Sequence, residues 1–264
     1  MRTMRTTAAA ATFLLVFPSC GLLAAFAAEH AAPSAPPAVS AKAILDHVDD
    51  LFRGNSSRGR ASMTVTTANW QRTLVLEFWS EGKEKSLIRI LAPQKEKGTA
   101  TLKSGNDIWN WLPKVARVIK LPSSMMSASW MGSHFTNDDL VKESRMAEDY
   151  DVAIAFEGER GGRREIEIAC HPKPQAAVVW GRVDVVVRAQ DHMPLEVRYH
   201  DEELKLARTM TYEDVKELGG RRLPVQLRIV PADKPGESTL VVYEDITFDV
   251  ALPPDTFSLR TLQQ

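Results

Sequence analysis

The chain has 264 residues, 44% of them hydrophobic and 25% charged, and its 33 basic residues nearly balance 34 acidic ones. This composition excludes a disordered or collagen-like chain, and a formal charge of −1 gives no electrostatic footprint for nucleic acid. Two cysteines are too few for a disulfide framework.

The first 28 residues stand apart. Arg2 and Arg5 are followed by an uncharged stretch from Thr6 to Ala28, with an apolar centre over Ala8–Phe17 and the small residues Ala25 and Ala27 flanking Phe26. That pattern predicts a secretory signal peptide over 1–27, cleaved after Ala27. Two other fates are open: lipidation at Cys20, behind a poor lipobox, and retention of the segment as a membrane anchor, which Pro18 disfavours. Cleavage removes two arginines and no acid, taking the charge to −3, and leaves Cys170 as the one remaining cysteine. Its alternating neighbourhood, Glu165-Ile166-Glu167-Ile168-Ala169-Cys170, marks a buried small hydrophobe rather than a nucleophile.

Residues 28–40 form a Pro- and Ala-rich linker, and one domain is expected over 41–264. Ser40 is placed as an N-cap, Gly54 closes the helix, and Ile44, Val48, Leu51 and Phe52 recur at helical spacing between them. After Gly59 the period changes to two, as in Leu74, Leu76 and Phe78 against Val75, Glu77 and Trp79. Alternation broken by turn residues predicts strands near 60–68, 71–80, 84–92, 98–104, 107–112 and 115–121. A second series follows near 150–158, 163–171, 178–188, 194–200, 204–216, 221–230 and 237–249. This is a mainly β (α+β) pattern and not βαβ, so a dinucleotide-binding domain is not expected. There is no internal repeat.

Between the two series, Pro122–Met146 leaves the strand pattern. Ser123–Gly132 is small and Met-rich, and Thr136-Asn137-Asp138-Asp139-Leu140 reads as a capped helical turn. Flexible Met side chains recur at adaptable apolar binding surfaces, so Met125, Met126, Trp130, Met131 and Phe135 suggest a lid over an apolar cavity, against the plainer reading of core filling. Trp109 and Trp111, at spacing two, share one face of a strand.

Catalytic signatures are absent: there is no G-x-S-x-G, H-E-x-x-H, C-x-x-C, G-x-G-x-x-G or Walker loop. No catalytic residue, metal site or cofactor is expected. His134, with Ser133, Asp138 and Asp139 nearby, is the best chemical candidate, but loop polarity and a helix cap explain those residues as well.

Three stretches carry a resemblance. Asp107-Ile108-Trp109-Asn110-Trp111-Leu112-Pro113, then Val115–Ile119, then Trp130-Met131-Gly132-Ser133-His134-Phe135-Thr136-Asn137-Asp138-Asp139-Leu140 resemble the bacterial outer membrane lipoprotein-sorting proteins, relatives of the periplasmic lipoprotein carrier LolA. The resemblance spans about 40–260 and is most specific at 107–140. His134 stands where the family usually has Asp, which speaks against a required carboxylate there.

The resemblance implies an incomplete, strongly curved antiparallel β-barrel with helices lying across its open side. It also implies a periplasmic, non-enzymatic role, the shielding of lipid acyl chains or lipoprotein cargo between envelope membranes. A membrane exporter or acceptor protein would then be the partner. Cavity residues on that reading are Leu74, Leu76, Phe78, Ile88, Ile90, Trp109 and Trp111, under a lid of Met125, Met126, Trp130, Met131 and Phe135. A one-residue register change inverts any strand's assignment. The alternative is a lipid- or protein-sensing periplasmic regulator or scaffold on the same fold. With no heptads, a monomer is expected.

Overall fold

The computed structural model of the protein describes residues 39–142 and 146–264. The expected signal peptide and all of the linker but its last two residues lie outside the described residues. Residues 39–264 form one compact unit.

Helix α1 (Ala41–Arg53) starts where Ser40 accepts a hydrogen bond from the Ala43 N–H at 3.2 Å and ends at Gly54, whose φ of 59° suits a residue without Cβ. Ile44 and Leu45 are buried, and Val48 and Phe52 pack beside them.

Among the described residues thirteen strands follow. In the first half are β1 (Ser56–Thr66), β2 (Gln71–Glu81), β3 (Lys85–Ala92), β4 (Ala100–Ser104), β5 (Asp107–Leu112) and β6 (Arg117–Lys120). In the second are β7 (Tyr150–Arg160), β8 (Arg163–Pro172), β9 (Arg182–Arg188), β10 (Pro194–His200), β11 (Leu206–Leu218), β12 (Arg221–Pro231) and β13 (Ser238–Phe248). Each predicted strand forms. β9 begins at Arg182, later than the alternation predicts, because Val178 and Trp180 pack against the core from outside the ladder. All thirteen make one antiparallel sheet in the order β6-β5-β4-β3-β2-β1-β13-β12-β11-β10-β9-β8-β7. Each half is a meander, and the pairing of β1 with β13 joins them. The sheet does not close: β6 and β7 remain its two edges. This is the incomplete, curved antiparallel barrel.

The register sorts side chains into two faces. Phe78, Ile88, Thr101 and Asn110 lie opposite one another along β2–β5, on the face that carries the main core with Met63, Leu74, Leu76 and Ile90. Trp79, Leu87, Leu102 and Trp109 form the adjacent row, on the outer face. There Leu262 of α4 (Leu259–Leu262) packs with Leu87, Ala100 and Leu102 as a separate cluster. Curvature brings backbones close at Gly59, where a Cβ would stand 2.2 Å from the Asp245 carbonyl oxygen and 2.7 Å from the Phe78 ring. A bulge in the β1–β13 pairing follows at Arg60/Ala61.

The chain between the two edges, residues 121–149, holds short 3-10 turns and the one-turn helices α2 (Asp139–Lys142) and α3 (Met146–Asp149). Among the described residues no helix is long and apolar enough to cross a membrane.

Ile44 is fully buried where α1 meets the sheet. Ile44→Ala is expected to cost about 2–5 kcal/mol, read as a lower urea midpoint with an unchanged slope.

Candidate functional site

An apolar cavity of about 220 Å³ lies inside the curved sheet. α1 contributes Leu45, Val48 and Phe52; β1–β3 contribute Ala61, Met63, Leu76, Phe78 and Ile88. Opposite them stand Val185, Val197, Tyr212, Leu227, Val241 and Tyr243, while Trp130, Phe135, Leu140 and Met146 come from the 121–149 segment. Phe52 faces Tyr243 and Tyr212 at ring-centroid distances of 5.7 and 6.0 Å, and Phe78 meets Tyr243 edge-on at 5.7 Å. Aromatic contacts of this kind fix the wall without filling the space. An apolar cavity of about 150 Å³ is already large enough to take up benzene.

The 121–149 segment is nailed to both halves of the sheet. A bridge between Ser129 and Thr136 pinches off a loop, with Met131 (φ 52°) and Gly132 (φ 68°) at its tip. On one side the Trp130 indole N–H donates to the Thr101 hydroxyl at 3.1 Å, and Arg72 donates to the Met131 carbonyl. On the other side Arg208, 4% exposed, donates to Asp139 Oδ1 and to the His134 carbonyl, both at 2.6 Å. Its guanidinium lies 4.4 Å from the Trp180 ring centroid and 4.2 Å from that of Tyr199. Thr136 and Asp139 cap reciprocally: the Thr136 N–H donates to Asp139 Oδ2 at 2.6 Å, and the Asp139 N–H donates to the Thr136 hydroxyl at 3.2 Å.

One end of the cavity is polar. Lys83 on the β2–β3 turn reaches α1, with its Nζ 2.7 Å from Asp46 and 3.7 Å from Asp49, and Arg53 donates to Asp49 at 2.9 Å. Burial pushes the Asp49 carboxyl above its ordinary value, outweighing Arg53 and Lys83. At Asp46 desolvation acts in the same direction, but hydrogen bonds from Lys42 and Lys83 overcome it and hold the carboxyl low.

The predicted site residues separate into groups. Leu76, Phe78, Ile88, Trp130 and Phe135 line the cavity. Leu74 and Ile90 face the same way but are packed into the core, and Met131 packs against that core without reaching the cavity. Trp109 and Trp111 are not brought to it: the register places them on the outer face against Leu87, Ala100, Leu102 and Leu262, while Ile108 and Asn110 point inward. This is the one-residue inversion that a period-two pattern leaves open. Met126 joins Ile108 and Leu121 in a small cluster, and Met125 is 48% exposed. The Met pair therefore does not cover the cavity; Trp130 and Phe135 do. Sequence reading missed Phe52 and the second-half stripe through Val185, Val197, Tyr212 and Val241, whose alternation is visible but whose inward phase is not.

His134 is held structurally. Its Nδ1 lies 2.8 Å from the Thr239 hydroxyl and its Nε2 3.4 Å from Glu237, while Asp139 serves Arg208 instead. Cys170 is fully buried, and burial pushes its thiol up to about 12. Among the described residues no three His, Cys, Asp or Glu side chains group as a metal site.

Two expectations follow from these contacts. Arg208→Met strands a buried carboxylate, so it is expected to cost about 3–5 kcal/mol. Adding Asp139→Asn should return part of that loss in a double-mutant cycle by urea unfolding. For Asp49 the folded pKa is raised above 3.8, so the folded state keeps a proton that the unfolded chain has already lost. Stability from this group is therefore present below about 3.8 and falls as pH rises through the folded value. Asp49→Asn is expected to remove that part of the pH profile of the urea midpoint.

The comparisons agree with this architecture. A family model described as an uncharacterized protein matches residues 82–264. No curated protein matches the chain. Solved structures do: a LolA superfamily protein from Nitrosomonas europaea (21% identity, TM-score 0.73) covers 85% of this chain and all of its own. An outer membrane lipoprotein-sorting protein domain from Vibrio parahaemolyticus (22%, TM-score 0.75) covers 85% of this chain and 98% of its own. A DUF1329 family protein from Desulfovibrio piger (22%, TM-score 0.74) covers 85% and 99%. The chain belongs to the family of that uncharacterized-protein model, and its fold is the one shared by LolA-superfamily and outer membrane lipoprotein-sorting domains.

Proposed function

We propose that this protein is a periplasmic carrier that shields lipid acyl chains, free or on a lipoprotein, during transfer between envelope membranes. The observation that carries the reading is the cavity itself, an apolar space between α1 and the concave face of a sheet that stops short of closing. A fully packed interior would have left no role for it. The name of the Vibrio relative, a lipoprotein-sorting domain, points the same way, as does the N-terminal export pattern of the sequence. On this reading no residue needs to do covalent chemistry, and a membrane exporter or acceptor protein delivers and receives the cargo.

The energetics are adequate. Burying one methylene is worth about 0.8 kcal/mol, so a chain of about 16 carbons gains roughly 10 kcal/mol before ordering costs. The polar end at Lys83, Asp46 and Asp49 suits the wet end of an amphiphile, with the tail lying along Phe78, Tyr243 and Val197.

Ala61 lines the floor of the cavity. Ala61→Phe is expected to weaken uptake of a fluorescent long-chain fatty acid by about tenfold, the loss of room for roughly two methylenes. Circular dichroism checks that the variant is folded. Wild-type protein that takes up no fatty acid or phospholipid contradicts the carrier reading.

A further inference from the structure

We propose that the rim formed by the β1–β2, β3–β4 and β5–β6 turns is a docking surface for an anionic lipid bilayer. In an antiparallel meander alternate turns fall at alternate ends, so these three share one end of the sheet and the β2–β3 turn, with Lys83, lies at the other. Trp70 (44% exposed) and Val115 (58% exposed) project at this rim from the first and third turns. Between and beside them Lys95, Lys97, Lys114 and Arg117 are all exposed.

These groups are one surface, not scattered charges. The Arg72 guanidinium sits 5.4 Å from the Trp70 ring centroid and 3.3 Å from Glu96 of the next turn. A Cβ on Gly98 of that turn would stand 3.4 Å from the Pro113 ring of the third. Across the second and third turns the exposed Lys95, Lys97, Lys114 and Arg117 stand against one acid, Glu96, in a chain whose total is −1. Glu96 is already paired with Arg72. Net positive charge around an exposed Trp and an exposed aliphatic side chain is the chemistry of a surface that meets anionic headgroups and dips its tips among them. The β10–β11 turn at the same end carries Asp201, Glu202 and Glu203, so only the β1–β6 side of the rim fits an anionic surface. Docked this way, the polar end of the cavity points away from the bilayer and stays free for a partner.

The proposal does not depend on the cavity holding lipid, and its test reads bilayer binding alone. The protein is mixed with phosphatidylcholine vesicles, with and without phosphatidylglycerol, and floated on a density gradient. Binding is expected to the anionic vesicles only and to weaken as salt rises. Lys114→Glu with Arg117→Glu should weaken it by about tenfold or more, and Val115→Asp should weaken it at unchanged basic charge. Arg164→Glu, at the exposed start of β8 at the other end, should leave it unchanged. Absence of binding, equal binding to neutral vesicles, or an Arg164→Glu loss as large as that of the rim pair would each overturn the proposal. So would a rim that captures a protein partner while ignoring both kinds of vesicle.

Discussion

Arg208 is buried to 4% exposure, its guanidinium packed on two touching aromatic rings and against one carboxylate. That pairing fixes the segment between the two edge strands. Desolvating a guanidinium and a carboxylate is costly, and the interior recovers the cost only through close geometry. Here Asp139 is held from four sides, by Arg208, by the Thr136 N–H, by its own N–H on the Thr136 hydroxyl and by the Trp180 indole N–H at 3.3 Å. Such a junction has one arrangement. It fixes where Trp130 and Phe135 enter the interior and so where filled core ends and cavity begins.

The rest of the interior follows from the sheet. Thirteen strands make a curved sheet whose edge strands β6 and β7 do not pair, and a sheet with that much inward surface needs more side chain than its own strands supply. α1 covers part of the inward face with Ile44, Leu45, Val48 and Phe52. The 121–149 segment covers another part, pinned to β4 at Thr101, to β11 at Arg208 and to β13 at Thr239. What neither covers is apolar, walled by aromatic pairs, and open toward charged groups at one end. A globular protein loses dispersion contacts along every such wall, so a cavity of this composition is a cost unless something occupies it.

The sequence made the elements legible but not their phase. Ser40, Gly54 and the i, i+4, i+7, i+8 spacing locate α1, and turn residues locate all thirteen strands. Leu76, Phe78 and Ile88 are readable as inward because their neighbours include Glu77 and Arg89. At Trp109-Asn110-Trp111 the same logic inverts, since the bulky pair is outward and Asn110 inward, where it accepts from the Thr101 hydroxyl at 2.7 Å. The outward tryptophans are apolar for a reason no local pattern reveals: α4, some 150 residues later, brings Leu262 onto their face. Arg208 was equally hidden. One basic residue in a strand reads as solvent-facing, and its carboxylate partner lies 69 positions away.

The measurement that bears most directly on the carrier reading is the mass of the protein as cells make it. The full chain with its N-terminal segment is expressed in a bacterial host, recovered from the periplasm without detergent and weighed intact by native mass spectrometry, and a parallel sample is extracted with organic solvent. The account predicts a discrete added mass that extracts as an acylated molecule. A bare polypeptide mass that stays bare when fatty acid or phospholipid is offered would contradict it.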